Sequence, residues 1–315
     1  MTGGGPERET FHGPEFPEHD ESRPMTRGPQ CDGTRPLAGD RCPAGPWRLI
    51  RDLERDGVWH MAVDEVVARA VGRREAPPTL RLYTWDPPAV SVGYFQDAGA
   101  EIDLERCRAL GFDVVRRPTG GRAVLHHREL TYAISCPADH PMVTGSVERT
   151  YEAISLGLAA GIRLLGVDAA LVPPGDASRT AAGRDHRSAA CFQSAARYEI
   201  LAGSRKLVGS AQVRRWGAVL QHGSILISVD PALHAAVFRY PRAGGETAAR
   251  RRFAARTTGL RELLAREIDP EEVAASVIRG MTEVLGCEFY SGELGEKEKE
   301  EAENLAGTRR RSPIP

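Results

Sequence analysis

The sequence predicts an α/β domain of the α+β kind, a single mixed and mainly antiparallel sheet flanked by helices, and three observations carry that expectation. Apolar runs with period two recur between Leu80 and Ser228, several of them separated only by short turns. Amphipathic helical stretches precede, interrupt and follow them. No internal repeat and no change of composition divides residues 47–305, so one domain is the economical reading.

Trp47 to Ile50 is a short apolar opening. From Trp59 the spacing Trp59, Val63, Val66, Ala70 makes a helical stripe with Asp64, Glu65 and Arg69 off it, and Gly72 closes the helix. Leu80 to Trp85 alternates with period two and is closed by Asp86-Pro87-Pro88, after which Ala89 to Phe95 resumes extended structure. Asp103 caps a short helix that carries Leu104, Cys107 and Leu110 inward and stops at Gly111. Phe112 to Val115, Ala123 to Leu125 and Leu130 to Cys136 are strands. Ser146 caps a long helix whose Val147, Tyr151, Ile154, Leu158, Gly161 and Leu165 share one face, with Gly166 at its end. Pro173 to Ala189 is a polar loop of the length usual for a lid, a binding loop or disorder.

Tyr198 to Leu201, Lys206 to Val213 and Ala218 to Ser228 read as strands turned at Gly203-Ser204 and Trp216-Gly217. Beyond Pro231 the pattern is helical. Asp269 as cap, Pro270 as first helical residue, Val273, Val277, Met281 and Val284 inward and Gly286 at the stop define one helix, and a charged helix follows over Glu293 to Leu305.

Residues 1–46 are rich in Gly, Pro, Glu, Asp and Arg with almost no periodic apolar positions, so they bury too little surface to offset chain entropy and are expected to be disordered. They contain no apolar secretion core, and their acids argue against a mitochondrial transit peptide. Residues 308–315, with Arg309-Arg310-Arg311, read as a frayed and solvated basic tail. No run approaches the ~20 apolar residues of a membrane helix, so no membrane partner is expected. A net charge of −1 over 315 residues argues against a protein held on nucleic acid mainly by phosphate contacts. The six cysteines (Cys31, Cys42, Cys107, Cys136, Cys191, Cys287) include no CxxC pair, which argues against a zinc ribbon or disulfide framework and suits reduced thiols in a cytoplasm.

The chemistry gathers in three segments. Arg116 to His127 sets Gly120-Gly121 between basic residues ahead of an apolar strand, so main-chain N–H groups can approach a ligand with no side chain in the way. No GxGxxG or GKS/T accompanies it, and the nucleotide-binding folds lose weight. Cys191 follows a loop bearing Arg179, Arg184, His186 and Arg187; nearby cations lower a thiol pKa, which suits an acyl-thioester nucleophile, whereas the plain alternative is a buried structural cysteine. Cys107 and Cys136 are expected to be structural. Lys206 opens a strand of buried neighbours, where it either shuttles protons against the sheet or guards an exposed edge. His126-His127 with Glu129 suggests a metal on paper, but adjacent strand residues point to opposite faces and no further ligand cluster follows, so no metal site is expected. Arg250-Arg251-Arg252 and Arg256 are either a solvated helix face or a dock for an acidic partner.

Taken together, the motifs carry a family resemblance. RRPTGGRAVLH over Arg116–His126 with Glu129-Leu130-Thr131-Tyr132, Ala190-Cys191-Phe192 with Tyr198-Glu199, KLVGSAQ over Lys206–Gln212 and LQHGSIL over Leu220–Leu226 resemble the lipoate-protein ligase A/B superfamily. Within it, the sequence is most similar to the octanoyl-carrier-protein:protein N-octanoyltransferases of the LipM type. The similarity runs from about Trp47 to Leu305 and includes Trp85-Asp86-Pro87-Pro88 and Gly93-Tyr94-Phe95-Gln96.

The resemblance implies the biotin/lipoate-ligase fold related to class II aminoacyl-tRNA synthetases, with a catalytic domain over residues 47–307. It implies transfer of octanoyl from octanoyl-acyl carrier protein to a lysine of a lipoyl domain such as the glycine-cleavage H protein, with Cys191 as nucleophile and Lys206 as acid/base partner. Arg117, Gly120, Gly121, Arg122, His126 and Gly209 would form the substrate site. A thioester donor is already activated, so no cofactor and no ATP is expected. Burying the chain offers roughly 5 kcal/mol at ~0.8 kcal/mol per methylene, and Val90, Val92 and Leu125 are candidate walls. The runner-up is an ATP-dependent lipoate-protein ligase, which resembles this chain in fold but usually has a further glycine where Arg122 stands and lacks the cysteine. An octanoyl amidotransferase between lipoyl domains shares the thiol chemistry, and an inert Cys191 would leave a non-catalytic acyl-binding module.

Overall fold

The computed structural model describes residues 45–52, 55–171, 199–240, 244–312 and 314. Nearly all of the N-terminal stretch expected to be disordered, the loop over Pro173 to Ala189, and Cys191 itself lie outside the described residues.

The described chain opens with β1 (Trp47–Arg51), α1 (Gly57–Gly72), β2 (Thr79–Tyr83) and β3 (Ala89–Val92). Short helices α2 (Ala98–Glu101) and α3 (Leu104–Ala109) lead to β4 (Asp113–Arg116), β5 (Val124–His126) and β6 (Glu129–Pro137). Then come α4 (Val147–Leu164), β7 (Ala169–Leu171), β8 (Ile200–Ala202), β9 (Arg205–Arg215) and β10 (Ala218–Leu226). Helices α5 (Pro231–Ala236), α6 (Gly245–Arg256), α7 (Leu260–Leu264) and α8 (Pro270–Leu285), strand β11 (Phe289–Ser291) and helix α9 (Glu296–Arg311) follow.

The main sheet runs β11-β1-β2-β6-β10-β9-β8-β7. Strand β1 is parallel to β2 and β11 and every other neighbouring pair is antiparallel, which is the mixed, mainly antiparallel sheet that the short turns imply. At its centre, Ser224 of β10 stands opposite Thr131 of β6 on one side and Gly209 of β9 on the other. A second sheet, β4-β3-β5, was not foreseen. Its strands are three or four residues long, too short for their sequences to say which sheet they join.

Alternation along the strands sorts the two faces of the main sheet. Leu80, Leu82, Tyr132 and Ile134 pack with Ile154, Leu158 and Ile162 of α4 and with Val277 and Met281 of α8. Tyr83, Ala133 and Leu220 pack instead with Ala68 of α1, and α9 closes over the back of α1 through Ala302 and Ala306. Sandwiched in this way, α1 buries Asp64 and Glu65, which the helical stripe had left outside.

The sequence caps hold. Asp103, Ser146 and Asp269 each accept a main-chain hydrogen bond at a helix start, and Gly286 ends α8 in the left-handed conformation. Cys107, Cys136 and Cys287 are buried, and burial pushes the Cys107 thiol up to about 11. Val147 and Val284, expected to face inward, are 44% and 42% exposed. They fall in the first turn of α4 and the last turn of α8. The expected basic tail is also corrected: α9 continues through Arg311, with Arg309 donating to Glu65 at 2.5 Å and Arg310 to Asp56 at 2.6 Å. Cations in a last helical turn also complement its dipole. Arg250 and Arg251 are exposed on α6.

Helices α4 and α8 meet through glycine. A Cβ at Gly280 would stand 2.1 Å from the Gly161 nitrogen, a distance that no side chain tolerates. Gly280→Ala is therefore expected to cost about 2 kcal/mol or more and lower the thermal midpoint by roughly 5 °C, read by calorimetry.

His234 of α5 is buried, stacks on Phe253 at 3.7 Å, and has no hydrogen-bond partner at either ring nitrogen among the described residues. Burial lowers its pKa from 6.5 to about 3. The unfolded chain thus takes up this proton first, so the stability tied to a neutral His234 is complete above pH 6.5 and is lost as the pH falls from 6.5 toward 3. His234→Leu should flatten the loss of thermal midpoint over that window, measured by a pH series of melts.

Candidate active site

A narrow slot lies between the two sheets beside α1. Ser91, Val124 and His126 of the small sheet form one wall, Tyr83, Thr131, Gly209 and Ser224 of the main sheet another, and Met61 and Arg117 also line it. Val90, Val92 and Leu125, the expected acyl walls, point away from it. They pack with Ile102, Cys107 and Phe238 on the far side of the small sheet. Side chains alternate along a strand, so the reading was one residue out and Ser91 and Val124 hold the wall positions.

His126 is fixed on every side. Trp85 stacks on its ring at 3.9 Å, its Nδ1–H donates to Glu129 Oε1 at 2.8 Å, and its Nε2 accepts from Ser91 Oγ at 2.7 Å. The tautomer follows from the partners, because a carboxylate only accepts. Thr131 and Ser224 also donate to Glu129 Oε1, each at 2.7 Å. Among the described residues, no three His, Cys, Asp or Glu side chains gather as a metal site.

The glycine turn is held from inside by Arg117. Its guanidinium donates to the carbonyls of Ser91, Gly120 and Arg122 at 2.7–3.0 Å and to Thr119 Oγ1 at 3.2 Å. Gly121 has φ +91°, and its carbonyl lies so close to Gly93 that a Cβ there would sit 2.0 Å away. Gly120, Gly121 and Arg122 therefore shape the turn beside the slot, whereas Arg117, His126 and Gly209 are on its lining.

Thr119 connects this turn to the core. Its hydroxyl donates to His222 Nε2 at 2.7 Å, and His222 Nδ1–H donates to Asp64 Oδ2 at 2.9 Å. Asp64 also accepts from Tyr83 at 2.9 Å and from Arg81 at 2.7 Å. Burial alone would raise the Asp64 carboxyl, but His222, Arg81 and Tyr83 outweigh it and hold it below its ordinary value. Burial keeps His222 below its ordinary value against the pull of Asp64, with Arg117 adding to the effect. His222 is therefore a neutral imidazole that passes the position of Asp64 on to the turn.

Lys206 is 4% exposed, which removes the edge-guard reading. It donates to Glu199, itself 6% exposed, as a buried ion pair three residues before Gly209. Cys191 cannot be placed against it, lying outside the described residues.

Comparison with known proteins fits this geometry to a family. Residues 56–282 match the lipoyl protein ligase A/B catalytic domain. The chain belongs to that family. Its relatives include the octanoyltransferase LipM of Kyrpidia tusciae, 46% identical over 82% of this chain and 94% of that one, and the octanoyltransferase LipM of Clostridioides difficile, 36% identical over the same shares. Among solved structures, a lipoate-protein ligase A with ATP bound superposes with a TM-score of 0.67 at 26% identity, covering 84% of this chain and 95% of that one.

In this member of the family, sequence reasoning missed Asp64 and Ser91, and gave Thr119, Glu129 and His222 only as members of motif segments, without their place in the site. The available signal was polar residues at inward positions, such as Arg81 inside an otherwise apolar alternating strand. Asp64→Asn, which leaves Arg81 buried with half its charge compensation, should cost about 3–5 kcal/mol by urea denaturation. Arg117→Lys cannot reach three carbonyls from one plane, and should lower catalytic efficiency about a hundredfold with little change in melting temperature.

Proposed function

We propose that this chain is an acyltransferase that moves an octanoyl group from octanoyl-acyl carrier protein to the ε-amino group of a lysine on a lipoyl domain, such as the glycine-cleavage H protein, in protein lipoylation. The observation that carries it is the identity of 36–46% to octanoyltransferases LipM along more than nine-tenths of their length. A narrow slot between two sheets, and a buried Lys206–Glu199 pair whose lysine is on the strand that also carries Gly209 of its wall, support the reading.

The reaction runs in two balanced steps. The Cys191 sulfur attacks the thioester carbonyl; its proton passes to the Lys206–Glu199 pair and then to the departing carrier thiolate. The acceptor amine next attacks the acyl-cysteine, the C–S bond breaks, and the amine proton returns through the same pair to Cys191. Exchange between thioesters is nearly isoenergetic and amide formation is downhill, so the cycle calls for neither nucleotide nor metal. Carrier protein and lipoyl domain would both be met in the cytoplasm. Among the described residues, no helix is long and apolar enough to cross a membrane.

The test mixes the full-length chain with octanoyl-carrier protein and a lipoyl domain, without nucleotide, and weighs the lipoyl domain by mass spectrometry. Octanoylation is expected, abolished by Cys191→Ala and slowed about a hundredfold or more by Lys206→Ala. Modification only on adding free octanoate or lipoate with ATP would make the chain a ligase and overturn the proposal.

A further inference from the structure

We infer that Glu129 binds the ammonium of the acceptor lysine as it enters, through the carboxylate oxygen that the slot does not use. The inference rests on the octanoyltransferase reading and adds to it the route of the second substrate.

Glu129 is buried, its side chain 1% exposed, and its two oxygens have unlike surroundings. Oε1 is saturated by His126, Thr131 and Ser224, all lining the slot. Oε2 is equally buried and takes no hydrogen bond from any described residue. An ionised carboxylate accepts at both oxygens, and a buried acceptor without a donor is a costly arrangement that proteins keep chiefly where function uses it.

Glu129 also lines a second cavity, outside the slot. Glu129 and Trp85 belong to its wall together with Thr84, Pro88, Ile227 and Ser228, and Trp85 is shared with the slot. Trp85, stacked on His126, thus stands between the two spaces. Lys206 does not line the cavity, but its carbonyl accepts from Thr258 N–H, three residues before Arg261 of the cavity wall, whose N–H donates to the Ile227 carbonyl.

This wall fits one chemistry well. A primary ammonium brings three donors and no acceptor, and the four-carbon stem behind it can lie on Trp85, Pro88 and Ile227. The exposed rim is mixed in sign, with Asp86 and Glu267 beside Arg128 and Arg261, so it gives a cation no clear preference. Selection for the lysine then falls to the buried carboxylate.

The test varies both substrates in steady-state assays of the full chain. Glu129→Gln keeps an oxygen for His126, Thr131 and Ser224 and removes the charge. It is expected to raise KM for the lipoyl domain about ten- to hundredfold while KM for octanoyl-carrier protein stays within about twofold. Glu129→Asp, which keeps the charge but draws it back, should shift the same KM less, and it serves alone if the glutamine variant does not fold. A residue that merely supports the slot would move both constants together; proportional changes, or no change in the acceptor constant, would overturn the inference. If the unaltered chain transfers nothing from octanoyl-carrier protein, it is the octanoyltransferase reading that fails.

Discussion

The Asp64 carboxylate is the fixed point of this structure. It sits in the middle of α1, wholly buried, and receives Arg81 and Tyr83 from β2 and His222 from β10. Because His222 then accepts from Thr119, one side chain ties a helix, two strands and the glycine turn into a single hydrogen-bonded unit. A buried ion pair of this kind adds little net stability over apolar packing, yet losing one partner is expensive because the other is left charged and unsolvated. Its value is geometric, since no member can shift without orphaning another.

Main-chain contacts do for the turn what Asp64 does for the core. Gly93 and Gly121 touch backbone to backbone, which fixes two loops at a distance that no side chain allows. Arg117 then spends its donors on the carbonyls of Ser91, Gly120 and Arg122, and Arg116 donates to those of Gly93, Tyr94 and Gln96. These two adjacent arginines serve largely as braces. A rigid turn beside a slot is what acyl transfer asks for, because the carbonyl carbon must be held still against its nucleophile.

What was legible in the sequence is local. Caps at Asp103, Ser146 and Asp269 and stops at Gly166 and Gly286 are read from one turn of chain, and the structure keeps them. The motif segments at Arg117, His126 and Gly209 converge on one slot because β4 and β5 of the small sheet lie across it from β9 of the main sheet. What was not legible is set by distant partners. Asp64 is buried because it faces Arg81, Tyr83 and His222 of the main sheet, and Glu65 because α9 lies over α1 and brings Arg309 to it from 244 residues along the chain. Which face of β3 and β5 lines the slot depends on a second sheet, and short strands carry no record of their sheet. Buried polar residues, which pattern reading assigns to solvent, were the ones that built the site.

The claim on which this account turns is that the acyl group rests on Cys191 between donor and acceptor. The direct measurement is a peptide mass map of the chain after brief exposure to octanoyl-carrier protein with no acceptor, quenched in acid. The account predicts an octanoyl increment on the peptide holding Cys191, removed by neutral hydroxylamine and by later addition of a lipoyl domain. An increment on another residue, or none while transfer to the acceptor still proceeds, would contradict it.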